Sequence, residues 1–102
     1  MPKTGRKKIK RNIEQDHTRV CFKPCGVRRT ELERVELCHD EMEAIRLSDF
    51  EGLYQQEAAD RMGISRSTFS RILENAHKKI ADAFLHTKAI SITKEEPSYE
   101  NC

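Results

Sequence analysis

The chain has 102 residues, 35% of them charged and 6% aromatic, with a formal net charge of +2. That length holds one small domain and is too short for two. A packed part of ~70 residues is marginal by itself, so a homodimer is expected. No apolar run approaches the ~20 residues of a membrane span, and no secretory apolar segment follows the N-terminus. The expected setting is therefore cytoplasmic, with no membrane partner.

Residues 1–29 carry ten Lys/Arg against Glu14 and Asp16, a local charge of +8. Residues 1–18 lack apolar periodicity and read as a flexible basic arm. Val20, Phe22 and Val27, interrupted by Pro24 and Gly26, suit a short strand followed by a turn. Residues 30–60 reverse the sign, with ten acids against Arg34 and Arg46, a local charge of −8. Thr30-x-x-Glu33 has the form of a capping box and predicts a helical turn. Val35 and Leu37 alternate with Arg34 and Glu36, which leaves helix and strand both open. Asp40-x-x-Glu43 predicts the start of a clearer helix. Its apolar face would hold Met42, Ala44, Ile45, Leu47 and Phe50, with Gly52 as the stop.

Residues 55–74 carry the most specific pattern. A helix over residues 54–62 buries Ala58, Ala59 and Met62. Gly63 supplies the turn because glycine tolerates positive φ. Ser65 then caps a third helix by accepting from an amide near Thr68. In that helix Phe69, Ile72, Leu73, Ala76, Ile80, Ala83 and Phe84 recur at helical spacing, which predicts a run to Leu85. Its C-terminal half is expected to pack on the domain or on a second subunit. Residues 61–88 carry six bases against Glu74 and Asp82, a local charge of +4. Residues 88–93 alternate and are expected to pair with the Val20–Phe22 segment as a small β-hairpin. Residues 94–102 read as a disordered tail. The domain is thus expected over residues 19–93, mainly α, of the helix-turn-helix, winged-helix-like class.

Two helices at a fixed angle, with a polar outer face on the second, suit the major groove of double-stranded DNA. Ser65, Arg66, Ser67, Ser70, Arg71 and Glu74 are expected nearest base edges. Arg66 and Arg71 can donate bidentately to guanine. Glu74 is alternatively an ion-pair partner of Lys78 at i+4. Gln55, Gln56, Thr68, Lys78 and Lys79 are expected at phosphates.

The segment from Phe50-Glu51-Gly52-Leu53-Tyr54 to Met62-Gly63-Ile64-Ser65 resembles region four of bacterial sigma factors, which binds the promoter −35 element. A more specific likeness covers about residues 19–92. Phe22-Lys-Pro-Cys-Gly26, Leu47-x-Asp49-x-Glu51-Gly-Leu-Tyr-Gln55, Glu57-Ala-Ala, Met62-Gly-x-Ser65-Arg66 and Ile72-Leu-Glu-x-Ala76 resemble uncharacterised protein family 0251, also called domain of unknown function 134. The resemblance implies a DNA-binding protein with a sigma-like helix-turn-helix, and hence a transcriptional regulator. Two positions depart from these patterns. Tyr54 stands where sigma factors carry a Ser/Thr cap. Cys25 stands where a small residue such as alanine is expected.

A competing constellation is Cys21, Cys25, Cys38 and His39, four soft-metal ligands that would make a metal- or redox-responsive regulator. Their spacing is not that of paired C-x₂-C motifs, and cysteine also packs as a small hydrophobe. No disulfide framework is expected in a chain without export signals. No phosphate loop, nucleophile motif or zincin helix appears, so neither an enzyme nor a small-molecule substrate nor a cofactor is expected. A platform for single-stranded RNA would need more aromatic side chains. A plain protein-interaction module is the remaining alternative.

Overall fold

A computed structural model describes residues 11–15 and 21–93. In chain order they form strand β1 (Cys21–Phe22), a 3₁₀ turn (Arg29–Glu31), strand β2 (Arg34–Cys38), helix α1 (His39–Ile45), a π-helical segment (Arg46–Phe50), helix α2 (Gln55–Met62), helix α3 (Arg66–His86) and strand β3 (Ala89–Thr93). This is a domain of three helices with a small sheet.

The sheet has the order β1-β3-β2. β1 pairs antiparallel with β3, Cys21 opposite Ser91 and Phe22 opposite Ile90, as the alternation of residues 88–93 predicts. The expected two-stranded hairpin is nevertheless incomplete. β2 lies parallel on the other side of β3, with Val35 opposite Ile90 and Leu37 opposite Ile92. Alternation of Val35 and Leu37 with Arg34 and Glu36 is thus strand alternation: the apolar pair is buried and the charged pair exposed. An isolated hairpin is at best marginal in water, and a third strand with a helix packed on it supplies the missing burial.

α1 begins one residue before the Asp40 start that the sequence predicts, with Cys38 at the cap. Glu41, not Glu43, reaches back: its Oε1 accepts from the Cys38 N–H at 3.0 Å. Glu43 instead turns inward and is fully buried. After Ile45 the helix widens into a π turn, in which the Glu51 N–H donates to the Arg46 carbonyl at 2.9 Å. Such widening shifts the faces of a helix. Ala44 and Leu47 are buried as expected, but Phe50 points to solvent and is 84% exposed, against the apolar face predicted for it.

Two apolar clusters follow. Ala44, Leu47, Ala58, Ala59, Met62, Phe69, Ile72 and Leu73 form one between α1, α2 and the first half of α3. Val35, Leu37, Ala76, Ala83, Ile90 and Ile92 form the other, between the sheet and the second half of α3. α3 spans both, which explains its 21 residues. Its C-terminal half does pack on the domain through Ala76 and Ala83. Phe84 and Leu85 are outside the core, 76% and 77% exposed. No helix among the described residues is long and apolar enough to cross a membrane.

Candidate nucleic-acid interface

α2 and α3 meet at a turn that the sequence dictates closely. α2 starts at Tyr54, whose side chain makes no cap bond, and ends at Gly63 with φ +72°. A side chain rarely adopts that conformation, and a Cβ at Gly63 would also lie 3.0 Å from the Asn12 amide nitrogen. Two residues on, the Ser65 hydroxyl accepts from the Thr68 N–H at 3.1 Å and donates to Thr68 Oγ1 at 2.9 Å. Ala58 and Ala59 are buried where the helices approach, and Phe69 and Met62 are fully enclosed. Ile64 packs half-buried against the same cluster.

This anchoring fixes what α3 turns outward. Ser65, Arg66, Ser67, Arg71 and Glu74 are exposed, and Ser70 is half-buried. Neither Arg66, Arg71 nor Lys78 has an ion-pair partner among the described residues, and the Glu74–Lys78 pair is not formed. Arg71 and Lys78 stand along one flank of the helix and Arg66 opens its first turn on another, each without an ion-pair partner among the described residues. Ser67, Arg71, Glu74 and Lys78 are spaced to share its outer face.

The residues assigned to phosphates divide. Lys78 is exposed, Thr68 and Gln55 are half-buried, and Gln56 is exposed with its amide on Asp60 Oδ1 at 3.0 Å. Lys79 points the other way. Its ammonium donates to Glu41 Oε1 at 2.9 Å and to the Glu36 carbonyl at 2.9 Å, linking α3 to α1 and β2. Adjacent lysines on a helix lie about 100° apart, so one faces out and the other spans the sheet edge.

Three further elements of this face lie in segments that the motif did not include. Arg11 Nε approaches Asp40 Oδ2 at 3.1 Å, with both side chains largely buried. The Asn12 N–H donates to the Met62 carbonyl at 2.9 Å, and its side-chain amide to the Arg61 carbonyl at 3.3 Å. The Glu14 N–H donates to Glu43 Oε2 at 2.9 Å. Residues 11–15, assigned by sequence to the basic arm, thus lie across the α2–α3 turn; residues 1–10 and 16–18 of that arm, and the tail 94–102, are outside the described residues. Arg11 and Asp40 form one wall of a groove of about 520 Å³ whose other wall is Thr68, Arg71, Asn75 and Lys78. No motif signals the partners of Asn12, or the pairing of Asp40 with Arg11, because these residues lie tens of positions apart.

Beneath this face the buried acids of α1 are paired. Arg46 donates to both oxygens of Glu43, at 3.1 and 3.0 Å, and reaches Glu14 at 2.8 Å and Glu51 at 3.0 Å. Hydrogen bonding to buried Glu43 holds the guanidinium's pKa above its ordinary value. Glu41, almost fully buried, takes Lys79 and the Asn75 amide, the latter at 2.7 Å.

The four soft-ligand candidates are not gathered. Cys21 lies half-buried on β1 and Cys25 is exposed in the following turn, both as free thiols. Cys38 is buried at the N-terminal cap of α1. His39 Nε2 lies 3.2 Å from the Gln15 carbonyl. Among the described residues no three His, Cys, Asp or Glu side chains converge as a metal site.

Comparison with known proteins places this arrangement among relatives. A family model described as "Protein of unknown function DUF134" matches residues 1–100. A UPF0251 protein of Prosthecochloris aestuarii is 50% identical over 90 residues, covering 88% of the chain and 58% of the relative. One from Vibrio parahaemolyticus is 45% identical over 92 residues, covering 90% of the chain and 96% of the relative. One from Methanococcus vannielii is 46% identical over 88 residues, covering 86% of the chain and 68% of the relative. The chain spans only about three-fifths of the Prosthecochloris and Chlorobaculum tepidum relatives. No solved structure matches it.

Proposed function

We propose that this chain, which belongs to the DUF134 (UPF0251) family, is a sequence-specific binder of double-stranded DNA and acts as a transcriptional regulator. α2, the Gly63 turn and α3 are read as a helix-turn-helix of the sigma region four type, with α3 as the helix that enters the major groove. One observation carries the reading. Arg66 and Arg71 stand exposed, without ion-pair partners among the described residues, on a helix rigidly seated by Phe69 and the Ser65 cap. A guanidinium kept free of protein acids at this position is suited to the O6 and N7 of guanine. Lys78 follows as a phosphate contact and the basic arm adds further neutralisation. Lys79 is left out of the interface, because Glu41 and the Glu36 carbonyl occupy it.

The decisive experiment is selection of bound sequences from a random duplex library. A consensus should emerge, and Arg71→Ala should relax it at one position, at a cost of about 1–3 kcal/mol for the preferred base. Recovery of no duplex above background, or an unchanged consensus in both Arg66→Ala and Arg71→Ala, sinks the reading. A homodimer belongs to the same proposal, supported by the small core and by the exposed Phe84 and Leu85. Sedimentation at micromolar concentration that returns only monomer removes it.

A further inference from the structure

The groove between the Arg11–Asp40 pair and α3 has the size and the unmet bonding of a ligand site. It measures about 520 Å³, inside the ~300–1,000 Å³ range of small-molecule sites. Thr68, Ile72, Asn75 and Lys78 line it along α3, a stretch of ~15 Å of helix. Of its charged lining residues, Asp40 is paired with Arg11, and Glu41 with Lys79 from outside the groove. Arg71, Glu74 and Lys78 have no ion-pair partner among the described residues. Two cations against one acid leave a surplus of positive charge that the fold does not use. Asp40 supplies the second feature. Its side chain is only 8% exposed, and its Oδ2 faces Arg11 Nε at 3.1 Å. Its Oδ1 is buried and takes no hydrogen bond among the described residues. Buried polar atoms nearly always have a partner, and a bare carboxylate oxygen costs stability. Arg11 already balances the charge of Asp40, so Oδ1 calls for a neutral N–H or O–H donor and not a second cation.

We propose that this groove binds a nucleoside monophosphate, with the phosphate on Arg71 and Lys78 and an N–H of the base donated to Asp40 Oδ1. The anion answers the surplus charge, since Arg and Lys hold phosphate through charge-assisted hydrogen bonds. The edge of a base carries the neutral donor that Oδ1 lacks. Ile72, in the lining of the groove, gives the ring an apolar surface. Phosphate alone would leave Oδ1 bare, and an amino acid would bring an ammonium to the place where Arg11 already stands. Arg71 and Lys78 are also the cations assigned above to DNA, so nucleotide and duplex exclude each other. The nucleotide thereby regulates DNA binding. That exclusion rests on the DNA-binding reading, whereas the site itself does not.

Calorimetric titration of the full chain, without DNA, tests the site with the monophosphates of adenosine, cytidine, guanosine and uridine. At least one should bind, and the same nucleoside without its phosphate should bind about tenfold more weakly. Inorganic phosphate should be weaker by a similar factor, for want of the base. Asp40→Asn separates the base contact from charge. The amide can satisfy Arg11 only with its one oxygen, which turns its NH₂ toward the base. The substitution also raises the net charge by one, so charge alone predicts tighter nucleotide binding. The proposed contact predicts binding about tenfold weaker, with affinity for inorganic phosphate no lower, and circular dichroism checks that the variant is folded. A second arm needs no substitution: the best nucleotide with its base N–H donors methylated should lose the same factor on the wild-type chain. Four results each overturn the site: no binding of any monophosphate, equal affinity for inorganic phosphate, full affinity of Asp40→Asn for the nucleotide, or full wild-type affinity for its methylated form. Saturating nucleotide should then release the duplex recovered by selection. Simultaneous binding of both overturns the exclusion and leaves the site standing. A chain that takes the nucleotide and no duplex overturns the DNA-binding reading alone.

Discussion

The acidic groups of α1 and the basic groups along α3 make opposite use of charge. Glu41 and Glu43 are almost wholly buried, and each is matched by a cation and by N–H donors: Lys79, Asn75 and the Cys38 amide for one, Arg46 and the Glu14 amide for the other. Arg66, Arg71 and Lys78 are exposed and have no ion-pair partner among the described residues. A buried carboxylate is tolerable only when its lone pairs are satisfied, so the first set is committed to holding helices together. An exposed, unpaired cation adds little to folding. The second set therefore contributes little to holding the fold together. Net charge hides this division, since both sets nearly cancel in the total.

That contrast is breakable by substitution. The largest effect is expected at Glu43. Glu43→Ala leaves Arg46 without its main partner in a largely buried site and should cost about 3–5 kcal/mol of stability, read by denaturant unfolding. A loss below about 1 kcal/mol would mean that Glu14 and Glu51 suffice, and that the buried pair is not a structural hub. Next comes Ser65→Ala, which removes the cap bond to Thr68 and should cost about 1 kcal/mol by the same measurement. Arg71→Ala should change stability by no more than about 0.5 kcal/mol, although it is expected to alter base preference. A larger thermal shift would place Arg71 on the structural side of the comparison.

The smallest effect is a pH dependence at the α3–β3 junction. Hydrogen bonds from His86 and Lys88 hold the Asp82 carboxyl below its ordinary range. A carboxyl depressed in the folded state contributes stability that is present above its unfolded pKa and is lost as pH falls through the folded value. The loss therefore belongs below about pH 4. Asp82→Asn should flatten that part of the acid-unfolding curve and leave neutral pH almost unaffected. If the two curves run parallel down to pH 2, the Asp82 bonds do not matter to folding.

Position by position, legibility followed the distance between interacting residues. Gly63, the Ser65 cap and the inward set of Ala58, Met62, Phe69 and Ile72 were readable because each signal acts within a turn or two of helix. The pairing of residues 88–93 with the Phe22 segment was readable from alternation. Three of the expectations that went astray did so for definite local reasons. Phe50 fits an ideal helical period, but the π turn after Ile45 rotates it outward. Glu43 has the spacing of a capping residue, yet Arg46 one turn later competes for it. Lys79 matches Lys78 in type, and only its position opposite Glu41 turns it inward.

By itself the sequence determined the Gly63 turn between α2 and α3 and the side chains that α3 turns outward. Glycine, cap and apolar period are local instructions, satisfied almost wherever the segment is placed. Tertiary structure alone decided that β2 lies parallel to β3 on the side away from β1, that the acids of α1 are buried against Arg46 and Lys79, and that Asn12 bridges the turn at Gly63. These contacts join residues far apart in the chain, as Asn12 is from Arg61 and Met62. Their partners are chosen by packing of whole elements, which no local pattern encodes.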